Sequence, residues 1–308
     1  MSYQFGKKKN IVSVFFTDFI RIRGVVSWSA VSFVGFILGI SILDLSTYIK
    51  PLFVFVVSTF CIASFTFSIN NYYDIESDRE NPRRISVNAF ASGKISKQSG
   101  LILNLILVII PLVVSFLYSL SVFFLCFIIL IWMWIYSAPP LRLKGRPGID
   151  IIWHFLAFVL LIMWGSYIAG SISLINWLFA ISFGVYSCIE QILNHIHDYE
   201  FDKKSGTTTF AVWIGLDKTK FSLKLVIVLH LIFLVPLIVL YSFSYPATII
   251  VLILGVVAGL IFMKLKKQSQ GYPGYYLLFI FSVAVYLTCI LYNMSMLLGE
   301  PTLGLINF

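Results

Sequence analysis

Charge is scarce in this sequence: only 11% of its 308 residues are Asp, Glu, Lys or Arg, and just 13 are acids. That excludes an ordinary soluble domain, whose charged fraction is about 25%. Cysteine is scarce too. The four, Cys61, Cys126, Cys188 and Cys289, are scattered through apolar runs. They lack the spacing of a metal site or a secreted disulfide framework and are expected as small buried hydrophobes. A cleavable leader is also missing from the expected picture. Lys7, Lys8 and Lys9 precede an apolar stretch interrupted by Asp18, Arg21 and Arg23, with no small-residue cleavage site.

What the sequence has in abundance is apolar length. Hydrophobic residues make up 59% of it and the mean hydropathy is +0.96. Apolar runs near 25–43, 52–73, 101–118, 121–138, 150–170, 174–195, 222–241, 246–263 and 275–298 match a hydrocarbon core of roughly 30 Å. The expected fold is therefore an all-α integral membrane protein with about nine transmembrane helices. It forms a single membrane-embedded domain over 1–308, in which 1–24 is an interfacial segment and Ile11–Ile22 an amphipathic helix.

The cations test that count. Alternate loops hold Lys7, Lys8, Lys9, Arg21 and Arg23; Arg79, Arg83, Arg84, Lys94 and Lys97; Arg142, Lys144 and Arg146; Lys203, Lys204, Lys218, Lys220 and Lys224; and Lys264, Lys266 and Lys267. Together these are 21 of the 22 Lys and Arg, and only Lys50 falls opposite. Such a bias places the amino terminus and these loops in the cytoplasm and Gly299–Phe308 outside a cell membrane. The net charge of +9 is read as attraction to a membrane surface or to a phosphorylated substrate, not to nucleic acid. No protein partner is evident.

The scarce acids are concentrated. Residues 70–78 and 194–202 both read N-x3-D-x-E-x-D. On a helix, positions four apart share a face, so Asn70, Asp74 and Asp78 form one polar stripe and Asn194, Asp198 and Asp202 another. Like charges at that spacing repel, and a counter-cation would hold them. Oxygen-only donors suit magnesium, which completes its shell with water and substrate phosphates. Between the motifs, 136–146 ends a helix at Pro139-Pro140 and then presents Arg142, Lys144 and Arg146. The 124-residue separation of the motifs is consistent with an internal duplication.

These residues together resemble the UbiA superfamily of intramembrane prenyltransferases. Asn70, Asn71, Asp74 and Asp78 match the first signature, N-D-x-x-D-x-x-x-D; His195, Asp198 and Asp202 match the second, D-x-x-D-x-x-x-D. Tyr136 to Lys144 resembles the Y-S-x-P-P-x-R-x-K segment, and 91–96 and 202–215 resemble the stretches after each signature. Asn71 and His195 stand where the family usually has an acid. The resemblance implies a helical bundle around a central cavity, a magnesium-bound prenyl diphosphate at its cytoplasmic end, and prenyl transfer to a lipophilic or aromatic acceptor.

On that reading Asn70, Asp74, Asp78, Asp198 and Asp202 hold the metal, and Asp74, Asp198 and Tyr136 are catalytic. Asn71, Lys144, Arg142, Arg23, Lys203, Asn194 and Glu190 contact substrate. Solvated helix ends are the plainer reading of the acids, and a snorkelling anchor that of Arg23. Glu190 reads equally well as an acceptor contact or as a hydrogen-bonded acid. Phe67, Tyr72, Trp132, Trp134 and Tyr136 are placed to face a developing allylic cation, although aromatics also form interfacial belts. His154 and His230 are expected as core histidines. The loops holding Gly93 and Gly206 are expected as lids. Two rivals remain: a divalent-cation transporter, which should carry polar groups through the whole membrane depth, and a phosphotransferase of the CDP-alcohol type, whose D-G-x-x-A-R core neither motif contains.

Overall fold

The computed structural model describes residues 10–42, 44–81, 84–242 and 273–298, with Ile253 and Val257 as isolated helical positions. Among these residues every regular element is helical. Chain entry is α1, Ile11–Val14, capped by the Asn10 side chain and continued by a π-helical turn at Phe15–Phe19. The long helices follow as α2 (Ile22–Leu38), α3 (Leu45–Tyr73), α5 (Lys97–Tyr118), α6 (Leu120–Ser137), α7 (Ile149–Ala169), α8 (Leu174–His197), α11 (Leu216–Leu237) and α12 (Pro273–Leu297). Short helices α4 (Ile75–Glu80), α9 (Tyr199–Ser205) and α10 (Phe210–Ile214) lie between them.

Eight of the nine expected runs are thus long helices, and the remaining one, 246–263, lies outside the described residues except for Ile253 and Val257. Six of the eight, α3, α5, α6, α7, α11 and α12, are each long and apolar enough to span a membrane, and Ile11–Phe19 with α2, bent by 54° between them, adds a seventh if the pair is one span. With 24 residues, α8 is long enough as well. Its Glu190, Gln191, Asn194 and His195 make it more polar than the others. The chain is an integral membrane protein of helical type.

Local chemistry sets the boundaries. Asp44, Ser96 and Ser119 accept from backbone N–H groups at the starts of α3, α5 and α6, satisfying donors that a helix start leaves orphaned. The expected amphipathic helix stops earlier than Ile22. It breaks at Arg21, whose φ of 54° is left-handed and turns the chain into α2. Its inner face buries Val14, Asp18, Phe19 and Ile20, while Ile11, Val12 and Phe16 stay exposed, as suits a segment lying in the interface.

Neighbours in sequence pack as neighbours in space: α3 on α5, α5 on α6, α7 on α8 and α8 on α11, with α12 returning to α2. Of the contacts between helices distant in sequence, that of α2 on α7 is the most extensive. A Cβ on Gly35 would stand 2.0 Å from the Ile162 carbonyl oxygen, and one on Gly165 2.1 Å from that of Ser32. Ser32 donates to Leu161 O at 2.6 Å and Ser166 to Gly35 O at 2.9 Å. Small residues let two backbones approach and exchange hydrogen bonds where lipid offers no hydrophobic drive. All four cysteines are buried and unbridged. His230 is a core histidine as expected, bonded to Ser182 O and Ser282 Oγ.

Candidate active site

Both acidic motifs are built on the same backbone device, and it differs from the continuous stripe expected. Asp74 interrupts the helix between α3 and α4 at φ −100°, ψ 10°, and Asp198 interrupts it between α8 and α9 at φ −91°, ψ 2°. The four-residue hydrogen bonds nevertheless continue across each break. Asp74 N donates to Asn70 O and Asp78 N to Asp74 O; Asp198 N donates to Asn194 O and Asp202 N to Asp198 O. Each motif therefore keeps its Asn, Asp and Asp one turn apart while the chain bends at the middle acid.

At the first motif Asp74 accepts from Lys144 at 2.5 Å and from Arg142 at 3.5 Å. The Pro-Pro loop and the first motif are thus one electrostatic unit, as the sequence pattern suggested. Burial pushes the Lys144 ammonium below the usual lysine range, and Asp74 opposes that shift. Asn70 donates to Ser137 at 3.1 Å, which fixes α3 to the end of α6. Asp78, 2% exposed, accepts from Asn88 at 2.8 Å.

Asn71 is fully buried. Its amide donates to the carbonyls of Asp18 and Phe19, and its oxygen accepts from Arg21. These bonds commit it to holding the N-terminal segment. Lys94 reinforces the link through Asp18, 2.7 Å away. Arg23, expected to reach substrate, is exposed on the first turn of α2, whereas Arg21 is turned inward. The loop after α4 is tied down by Asn88 and Lys94, which argues against its being a free lid. Gly93, at φ 71°, and Gly206, at φ 74°, alike take the left-handed backbone that glycine allows, with open space where a Cβ would stand.

At the second motif Asp198 lies 3.0 Å from His197. Burial raises the Asp202 carboxyl above the usual range, and the like charge of Asp198 adds to the rise. Lys203 and Asn194 are exposed, the former 5.8 Å over the Tyr199 ring. His195 is buried and pairs with Asp150 at 2.9 Å. Glu190 accepts from Tyr186 at 3.1 Å. Arg84, from the loop after α4, is exposed. Among the described residues no three acids, histidines or cysteines are gathered tightly enough to cage a metal on their own.

Beneath the acids runs an aromatic wall. Tyr136 stacks on Trp153 at 4.0 Å, Trp153 faces Trp132 and Trp28, and Phe67 meets Trp28 at 5.3 Å. Tyr72 packs aside on Tyr73 and Phe90. Trp134 faces an apolar cavity of about 240 Å³ among α3, α5 and α6. Trp28, Trp153, Asp18, Arg21, Arg84, Asn88 and Asp150 were not singled out by pattern as site residues. Asp150 carried the clearest signal, an acid in the first turn of an apolar run.

The family profile described as the UbiA prenyltransferase family matches residues 30–283. The chain is 31% identical over 169 residues to a lycopene elongase/hydratase of Corynebacterium glutamicum, covering 54% of this chain and 58% of that one. It is 30% identical over 175 residues to a digeranylgeranylglyceryl phosphate synthase of Pyrococcus horikoshii, covering 55% and 58%. The matched stretch is thus little more than half of either relative. In fold it is similar to a UbiA homolog from Archaeoglobus fulgidus bound to GPP and Mg2+, with a TM-score of 0.67 at 23% identity over 91% of this chain and 98% of that chain. An apo UbiA homolog from Aeropyrum pernix K1 gives a TM-score of 0.67 at 14% identity, covering 88% and 98%.

Proposed function

The chain belongs to the UbiA prenyltransferase family, and from that premise we propose that it transfers a prenyl group from a prenyl diphosphate to a lipophilic or aromatic acceptor within the membrane, releasing diphosphate. The observation that carries this reading is the joining of a bent acidic motif to a cationic loop through Asp74, Lys144 and Arg142. A second motif, bent at Asp198, repeats the backbone design of the first.

The donor set fits magnesium. It is oxygen-only, and the strain between Asp198 and Asp202 is of the kind that a hard divalent cation relieves. Asp74, Asp78, Asp198 and Asp202 would hold it, with Asn70 and Asn194 as neutral donors or orienters. When bound, magnesium would neutralise charge on the leaving diphosphate. Lys144, Arg142 and Arg84 would grip the same phosphates as fixed cations. Tyr136, Trp153, Trp28 and Phe67 would face the allylic carbon as positive charge develops there. The basic loops and both motifs would lie on the cytoplasmic side.

Both relatives have names of isoprenoid chemistry, and an isoprenoid lipid is the acceptor class proposed here. The test is binding of geranyl diphosphate to the purified protein, with magnesium and with chelator, read by thermal shift. Magnesium-dependent stabilisation is expected. Its absence in folded protein would remove the transferase reading.

A further inference from the structure

The bend at Asp74 leaves Asp78 on a helix of only 6 residues, far shorter than one that is stable by itself. What spans the bend is an amide from the following loop. Asn88 is 0% exposed. Its Nδ2 donates on one side to the backbone oxygen of Asn71, at the end of α3, at 2.9 Å, and on the other to Asp78 Oδ2 in α4 at 2.8 Å. Its Oδ1 accepts from Phe90 N at 2.9 Å and from Ala91 N at 3.1 Å. An asparagine side chain has two hydrogens to give and two lone pairs to fill, and Asn88 uses them all. A backbone N–H only donates and a backbone carbonyl only accepts, so the amide has one orientation and its nitrogen faces the acid.

The base of this clamp is fixed as well. Asn88 N donates to Arg84 O at 3.1 Å, and Ser92 Oγ donates to Asn88 O at 2.8 Å. The next residue is tied to the N-terminal segment, Ala89 N donating to Asp18 O at 3.2 Å. The Oδ1 and backbone bonds suffice to shape the loop. The two amide hydrogens do something else: they join α3 to α4 and commit one oxygen of the Asp78 carboxylate. Oδ1 is then the oxygen that Asp78 has to present to an ion. One oxygen from an acid leaves room for the waters and phosphates with which magnesium completes its shell.

Resting on the transferase reading, we propose that Asn88 is a positioning residue for the metal site: by holding Asp78 Oδ2 it aims Oδ1 and sets how tightly the first motif takes magnesium. Hydrogen-bond partners behind a metal ligand tune affinity in this way, and losing one costs about 10- to 100-fold in metal affinity or activity. The acid acts on the ion, and the amide acts through the acid.

The experiment uses the full chain in detergent and reads the magnesium concentration that half-saturates its thermal stabilisation by geranyl diphosphate. Asn88→Ser keeps a side-chain oxygen for the Phe90 and Ala91 N–H groups and loses the reach to Asp78. It is expected to raise the half-saturating magnesium on the order of 10-fold, with the full stabilisation regained at high magnesium. Asp78→Asn keeps an oxygen for the Asn88 amide and should raise the requirement too. In that background Asn88→Ser should add less than about twofold, because both changes act through one carboxylate. A purely structural Asn88 predicts a lower unfolding temperature with the magnesium requirement unmoved, or equal fold-changes in both backgrounds, and either result overturns the assignment. If Asn88→Ser does not fold, or Asp78→Asn gives no response, wild-type protein labelled with 15N-asparagine decides. The Asn88 side-chain resonance, identified by its displacement in Asp78→Asn, should move when magnesium and geranyl diphosphate are added together, and an unmoved resonance overturns the proposal. Wild-type protein that geranyl diphosphate stabilises at no magnesium concentration instead removes the underlying transferase reading.

Discussion

Asn71 concentrates at one residue what a sequence pattern can mislead about. It stands in a metal-binding signature, yet its amide spans from α3 to the backbone of Asp18 and Phe19. Restoring the family's usual acid should therefore harm this chain. In Asn71→Asp a buried carboxylate would face two carbonyl oxygens, with Arg21 as partial relief. Losing both donations should destabilise by about 2–4 kcal/mol and lower the unfolding temperature by several degrees, measured by thermal unfolding in detergent. The acids proposed to hold magnesium should behave oppositely. Asp74→Ala and Asp198→Ala should leave the unfolding temperature within a few degrees of wild type and abolish the stabilisation given by geranyl diphosphate with magnesium. Normal donor binding in both variants would remove the ligand assignment.

At the scale of elements, the α2–α7 contact holds the two halves of the aromatic wall together, since Trp28 rides on α2 and Trp153 on α7. The contact admits no side chain at Gly35 or Gly165, where the obstacle is backbone. Gly165→Leu should force the helices apart at a cost of about 3 kcal/mol, and Gly35→Leu should do the same. Both should also weaken donor binding, although neither glycine touches the acids. Helix ends respond differently. Hydrogen bonds from Ser46 and Thr47 hold the Asp44 carboxyl below the usual aspartate range. Its folded-state value being depressed, its capping contribution is present above the unfolded value and is lost as the pH falls through the folded one. Amide exchange in the first turn of α3 should accelerate, relative to later turns, only on acidification into that range. Asp44→Asn should flatten the response.

For the molecule as a whole the governing fact is asymmetry: nearly every cation is on one side of the expected topology. The proposed orientation predicts that an impermeant maleimide labels Ser41→Cys in intact cells and Arg146→Cys only after permeabilisation. The reverse pattern would invert the cytoplasmic assignment and leave the site chemistry in place. The native thiols should not interfere, because all four are buried.

The sequence by itself determined the class, the long helices and the two motifs. Apolar length and the side chains' transfer energies are properties of the chain read locally, and one-turn spacing survives the bend at Asp74 and Asp198. It also placed Lys144 and Arg142 with the acids, because the Pro-Pro loop carries them at fixed offsets. Only the tertiary structure decided which polar residues serve the site and which serve the scaffold. Asp18 and Asn88 hold the first motif from 50 or so residues upstream and from the following loop, and Asp150 meets His195 across 45 positions of chain. Such pairings depend on how α2, α7 and α8 pack, and packing joins residues that no local period relates.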